Sequence, residues 1–95
     1  MNREYRIYAS VYNAPEIGLV KASLILVVDD RGRLVERLTG PVNIGPSIGR
    51  FTDRFARNVV KEYVANRFNF EVDLDSVKLL TYEKLTKMRL KLEDR

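Results

Sequence analysis

Arg50, Arg54, Arg57 and Lys61 recur at spacings of i, i+4, i+7 and i+11. On an α-helix that spacing gathers all four within about 60° of arc, roughly one cation per turn. Three guanidinium groups and an ammonium in a row suit the regularly spaced phosphates of a nucleic-acid backbone. The same row also suits a face that only meets water, since Arg is a good helix former. Sign favours the first use: a solvated face usually mixes charges, whereas Asp53 and Glu62 fall to the flanks of this row.

A second group lies near the start of the chain. Arg6, Tyr8 and Tyr12 share one side of an alternating segment. Aromatic rings beside a cation on an open sheet stack nucleic-acid bases. Tyrosines equally suit a subunit interface, which buries the ring and keeps the hydroxyl paired. Lys87, Arg89 and Lys91 form a similar row near the other end, where lysines on an edge strand also deter aggregation.

Leu38 to Thr52 contains no acid, and Gly45, Ser47 and Gly49 precede a helix start. Free N–H groups at such a start attract anions. No Gly-Lys-Ser/Thr follows and no G-x-G-x-x-G is present, so neither a P-loop nor a dinucleotide fingerprint is formed.

Catalytic chemistry has few residues to use. The chain has no Cys and no His, which removes thiolate and imidazole nucleophiles, bases and metal ligands together. The remaining acids, Asp29-Asp30 and Asp73-x-Asp75, fit Mg²⁺ binding less well than turn formation. No catalytic residue, metal site or cofactor is assigned.

The elements that must position these groups are legible in outline. Tyr5 to Tyr12 alternates as a strand, with Tyr5, Ile7, Ala9 and Val11 opposed to Arg6, Tyr8, Ser10 and Tyr12. A loop at Asn13–Gly18 leads to a second strand, Leu19–Val28. Strict alternation there sets Val20, Ala22, Leu24, Leu26 and Val28 against Ile25 and Val27. Asp29-Asp30-Arg31-Gly32 is a turn, and Arg33–Thr39 returns as the third strand of a hairpin. Asn43–Gly49 is punctuated as a loop. Ser47 then caps one long helix, Ile48–Phe68, whose apolar stripe is Ile48, Phe51, Phe55, Val59 and Tyr63. Val77–Tyr82 and the alternating Leu85–Leu92 supply one strand or two.

The expected fold is one α+β domain over residues 1–95. It is an antiparallel sheet of four to five strands with one long helix packed on one face, in the order β-β-β-α-β with room for a fifth strand. The βββα order is similar in connectivity to the opening half of a ribonuclease H-like fold. That chemistry needs an acid in the first strand, and Tyr5–Tyr12 holds none. One helix covers about two to three strands, so Ile25 and Val27 are expected on an open face that a second copy or a ligand covers.

With 45 % apolar and 32 % charged residues, the composition is that of a folded, water-soluble chain. No signal-peptide pattern, lipidation motif or 20-residue apolar run is present, and a cytoplasmic location is expected. Net charge is +4, of which residues 41–70 contribute +3, five cations against two acids. The expected function is a small basic protein, homodimeric, that binds DNA or RNA through phosphate contacts with little sequence specificity. Its contacts are Arg50, Arg54, Arg57, Lys61, Arg6, Tyr8 and Tyr12. The alternative is an assembly module that self-associates or docks a partner through its open sheet face.

Overall fold

The computed structural model describes residues 4–88 and 91–92. Three strands open the chain: β1 (Arg6–Ala14), β2 (Leu19–Val28) and β3 (Arg33–Pro46). They pair antiparallel in sequence order. The β2–β3 turn is closed by Asp29, whose Oδ1 accepts from the N–H groups of Arg31 and Arg33, both at 2.9 Å. Then α1 (Asp53–Phe68) crosses one face, and β4 (Val77–Leu79) returns beside β1. A short helix, α2 (Tyr82–Thr86), precedes β5 (Lys91–Leu92) at the opposite edge. The sheet order is β4-β1-β2-β3-β5, and the class is α+β with one long helix.

The sheet is mixed, not purely antiparallel. β4 runs parallel to β1, and β5 runs parallel to β3. A strand that follows a helical crossover re-enters from the end where the earlier strand began, so the direction of β4 follows from α1 and that of β5 from α2.

The helix starts later than its sequence pattern suggests. β3 continues to Pro46, through most of the expected Asn43–Gly49 loop, and Gly49 adopts φ 68°. Ser47 is therefore not the N-cap; its hydroxyl donates to Asn13 Oδ1 on β1. Thr52 caps instead, its Oγ1 accepting from the Phe55 N–H at 3.0 Å. Ile48 and Phe51, expected in the apolar stripe, precede the helix and are exposed. The buried side of α1 is Ala56, Val59, Val60 and Val64, all small. They bring the helix close enough to β3 that a Cβ on Gly45 would meet Val59 Cγ1 at 2.7 Å. At its far end Asn69, at φ 64°, donates its N–H to the Ala65 carbonyl and closes the helix without a glycine.

Ile25 and Val27 are fully buried beneath α1 with Ile7, Ala9, Val20 and Ala22. The expectation that they face an open side is overturned by a bulge. Ser10 pairs with Leu24 and Val11 with Ala22, which leaves Ser23 without a partner on β1. At the same level β3 passes from Thr39, opposite Leu24, to Val42, opposite Ala22, so Gly40 and Pro41 are extra there. One additional residue inverts the side-chain alternation of all that follows. Leu24 and Leu26 consequently turn to the second face, where Leu85 of α2 covers them with help from Tyr8, Leu34, Leu80 and Met88.

Leu85–Leu92 is accordingly not one strand. Thr81 caps α2 by accepting from the Lys84 N–H at 3.2 Å, and Leu85 is 1 % exposed. A helical turn lets Leu85 and Met88, three residues apart, meet the same apolar surface, which strand alternation forbids. Val77–Tyr82, expected as a strand, keeps that form only to Leu79. Arg89 and Leu90 lie outside the described residues, and Lys91–Leu92 are described only by their backbone pairing with Arg33–Leu34.

Candidate nucleic-acid interface

Two surfaces were expected to carry phosphate contacts, and they fare differently. On α1, the four-cation row does not form as a unit. Arg50 lies in the loop before the helix, beyond the left-handed Gly49, and is exposed. Arg57 donates from Nε to Asp53 Oδ2 at 2.9 Å and from a terminal guanidinium nitrogen to the Leu74 carbonyl at 3.3 Å. It ties the segment after the helix back to the helix, so it is half-spent on structure. Lys61 borders a depression whose rim includes Glu62, Glu71 and Asp73. Those acids compete with a phosphate for it. Of the four, Arg50 and Arg54 are exposed and form no ion pair among the described residues.

The anion-attracting helix start also changes. Thr52 Oγ1 occupies one of its N–H groups, and the Asp53 carboxylate stands in the first turn. A negative side chain complements the helix dipole there and repels an incoming anion. Asp29, one of the acids weighed for Mg²⁺, is buried and serves as the turn acceptor described above. Among the described residues no group of three or more metal-ligating side chains converges.

The α2-bearing face is more uniform. Paired residues of neighbouring strands point to the same side of a sheet, so the register assigns each side chain. Tyr8 on β1 lies level with Lys78 on β4, Leu26 on β2 and, beyond it, Arg37 on β3. At about 4.8 Å per strand, Lys78 and Arg37 stand roughly 14 Å apart, with α2 seated between them over Tyr8 and Leu26. Arg6 is one step along β1. Further along, Tyr12, Lys21 and Asn43 form a row of their own. The strands β1–β4 thus place Arg6, Lys21, Arg37 and Lys78 on this side and no acid. The nearest strand carboxylate, Glu36, pairs with Val27 and shares the side of α1. Helix α2 and the residue after it add Lys84 and Lys87 against Glu83. Among the described residues the face presents six cations and one acid.

No family model matches the chain, and no curated protein or solved structure matches it significantly.

The sequence-expected residues therefore separate into two groups. Arg6 and Tyr12 lie exposed on the cationic face, and Tyr8 is half-buried there under α2. Arg54, Arg57 and Lys61 belong to α1 on the opposite side, and Arg50 to the loop before it. Lys21, Arg37 and Lys78 were not expected at the site. Their signal is a register across four strands, which spacing within one segment does not contain. Tyr82, exposed at the start of α2, also lies on this face, in a segment whose pattern reads as a strand.

Proposed function

We propose that this chain is a cytoplasmic nucleic-acid-binding protein that contacts phosphates through the face bearing α2, with little sequence specificity. The observation that carries the reading is the single sign of the strands on that face, Arg6, Lys21, Arg37 and Lys78 without an acid. Arg6, Arg37 and Lys78 are exposed and Lys21 is half-buried. None of the four is in an ion pair among the described residues. Their charges are therefore available to an external anion. These four cations come one from each strand, an arrangement that favours backbone contacts over sequence readout.

Salt tests this directly. Each phosphate contact contributes about 0.9 to the log–log salt slope on duplex and about 0.7 on single strands. Four contacts then lower affinity about 150-fold on duplex, or about 50-fold on a single strand, between roughly 50 and 200 mM salt. A mobility-shift titration reads this. Binding that ignores salt, or no binding at low salt, rejects the proposal.

A second reading has one observation of its own. β5 pairs with β3 only at Arg33 and Leu34, so Val35–Pro46 has no outer partner among the described residues. Such an edge accepts another strand. Pro41 and Pro46 lack N–H groups, which limits the useful stretch to about Val35–Thr39. If this edge assembles copies, light scattering shows a concentration-dependent rise to twice the 11.0 kDa monomer mass. A constant monomer mass removes self-association.

A further inference from the structure

The bulge that turns Leu24 and Leu26 toward α2 also leaves a hollow at its own level. Tyr12, Ser23, Gly40, Pro41 and Tyr82 line it. The hollow measures about 290 Å³, at the small end of ligand sites, which span roughly 300–1,000 Å³. Tyr12 is 43 % and Tyr82 51 % exposed. Neither ring is in an aromatic pair among the described residues. Two large rings held in water, one on β1 and one at the capped start of α2, gain by meeting another flat apolar surface.

We infer that this hollow takes one or two unstacked bases of a single-stranded nucleic acid, stacked on Tyr12 and Tyr82 while Lys21 and Arg37 hold the adjoining phosphates. The inference rests on the nucleic-acid reading above and narrows it to the single strand. Charge selects this occupant. Lys21 is the cross-strand neighbour of Tyr12, and Arg37 lies two positions along β3 from Thr39, on the same side. Glu83, beside Tyr82, is the single acid on this face among the described residues and is outnumbered by the described cations. A second copy brought face to face would oppose like charges, whereas a polyanion with exposed ring faces is complementary to both features. In a duplex the base faces are already covered by their neighbours. A single strand offers them. The uncharged polar side chains of Ser23, Thr39 and Asn43 along the path do not single out one base, in keeping with stacking that tolerates any sequence.

The test is fluorescence anisotropy with labelled oligonucleotides of about 12 nucleotides, as single-stranded DNA, single-stranded RNA and duplex of the same sequence. At least one single strand is expected to bind about tenfold tighter than the duplex. Tyr12→Ala and Tyr82→Ala are each expected to weaken single-strand binding by about tenfold, as loss of a stacking platform does. The same variants should leave duplex binding unchanged, and Tyr12→Phe and Tyr82→Phe should stay within about twofold of the parent, because the ring is kept. Equal or tighter binding of the duplex overturns the inference. So do Ala variants that bind single strands normally. In both cases salt-dependent binding by the parent would leave the broader reading standing, while failure to bind any of the three at low salt removes both. The comparison of strands needs no variant, so it holds even if a substitution disturbs the fold. The two single-strand arms show which sugar is preferred.

Discussion

Replacing Gly40 with alanine is expected to destabilise the protein by about 4 kcal/mol or more, at the extreme of what single substitutions do. A Cβ built on Gly40 lands on the Ala22 carbonyl oxygen of β2 and approaches the Val42 nitrogen at 2.9 Å. Both obstacles are backbone, so no rotamer change relieves them. Two strands would have to part where β2 and β3 are both irregular, Ala22–Leu24 against Thr39–Val42. Domains of this size are stable by only about 5–15 kcal/mol in total. Gly45→Ala is the informative contrast. Its Cβ meets only Val59 Cγ1, the end of a side chain, at 2.7 Å, and a small shift of α1 accommodates it. Urea unfolding followed by far-ultraviolet circular dichroism distinguishes the two. Gly40→Ala should show a sharply lowered midpoint or no cooperative transition, with Gly45→Ala between it and the parent. An unchanged midpoint for Gly40→Ala would mean that the bulge rearranges at little cost.

The second large effect concerns where phosphates run. Reversing Lys21 and Arg37 together, Lys21→Glu with Arg37→Glu, is expected to lower nucleic-acid affinity on the order of 100-fold near 50 mM salt. The salt slope should fall by about 1.4 to 1.8, since two contacts are lost. The matched pair on α1, Arg54→Glu with Lys61→Glu, should cost less than about fivefold, a long-range charge effect rather than lost contacts. Arg57 is a poor choice for this comparison, because its guanidinium also holds the Leu74 carbonyl and Asp53. Thermal unfolding confirms that each double variant is folded. If the α1 pair causes the larger loss, phosphates track the helix as its residue spacing alone suggests.

Much of the architecture is legible from local patterns, and each failure has a physical cause. The three opening strands, the Asp29–Gly32 turn and the long helix follow from alternation, turn chemistry and period. The helix start is ambiguous in the sequence because both Ser47 and Thr52 are good capping residues. What decides between them is tertiary: Ser47 is drawn to Asn13, and β3 pairs with β2 as far as Pro46. The inversion at Ser23 is invisible in β2 itself, because Val20–Val28 reads as apolar on both sides with either phase. It becomes visible only beside Gly40 and Pro41, seventeen residues away in the chain. The cationic row of α1 was overrated for a related reason. Helical spacing tells where Arg57 and Lys61 point but not that Leu74 or Asp73 will lie beside them. The opposite face was underrated because its cations come from β1, β2, β3 and β4, one apiece.

Among the described residues, Leu85 and the leucines beneath it form a layer far smaller than the core under α1. Few buried contacts make a region the first to open while the rest of a domain stays folded. Opening there detaches a helix of five residues, bares Leu24 and Leu26, and carries Tyr82 away from Tyr12. Half of the proposed stacking platform would thus exist only while that leucine layer is shut. A ligand held between the two rings therefore shifts the balance toward the closed arrangement, by as much as its affinity for the closed form exceeds that for the open one. Closure and occupancy are two readings of a single equilibrium.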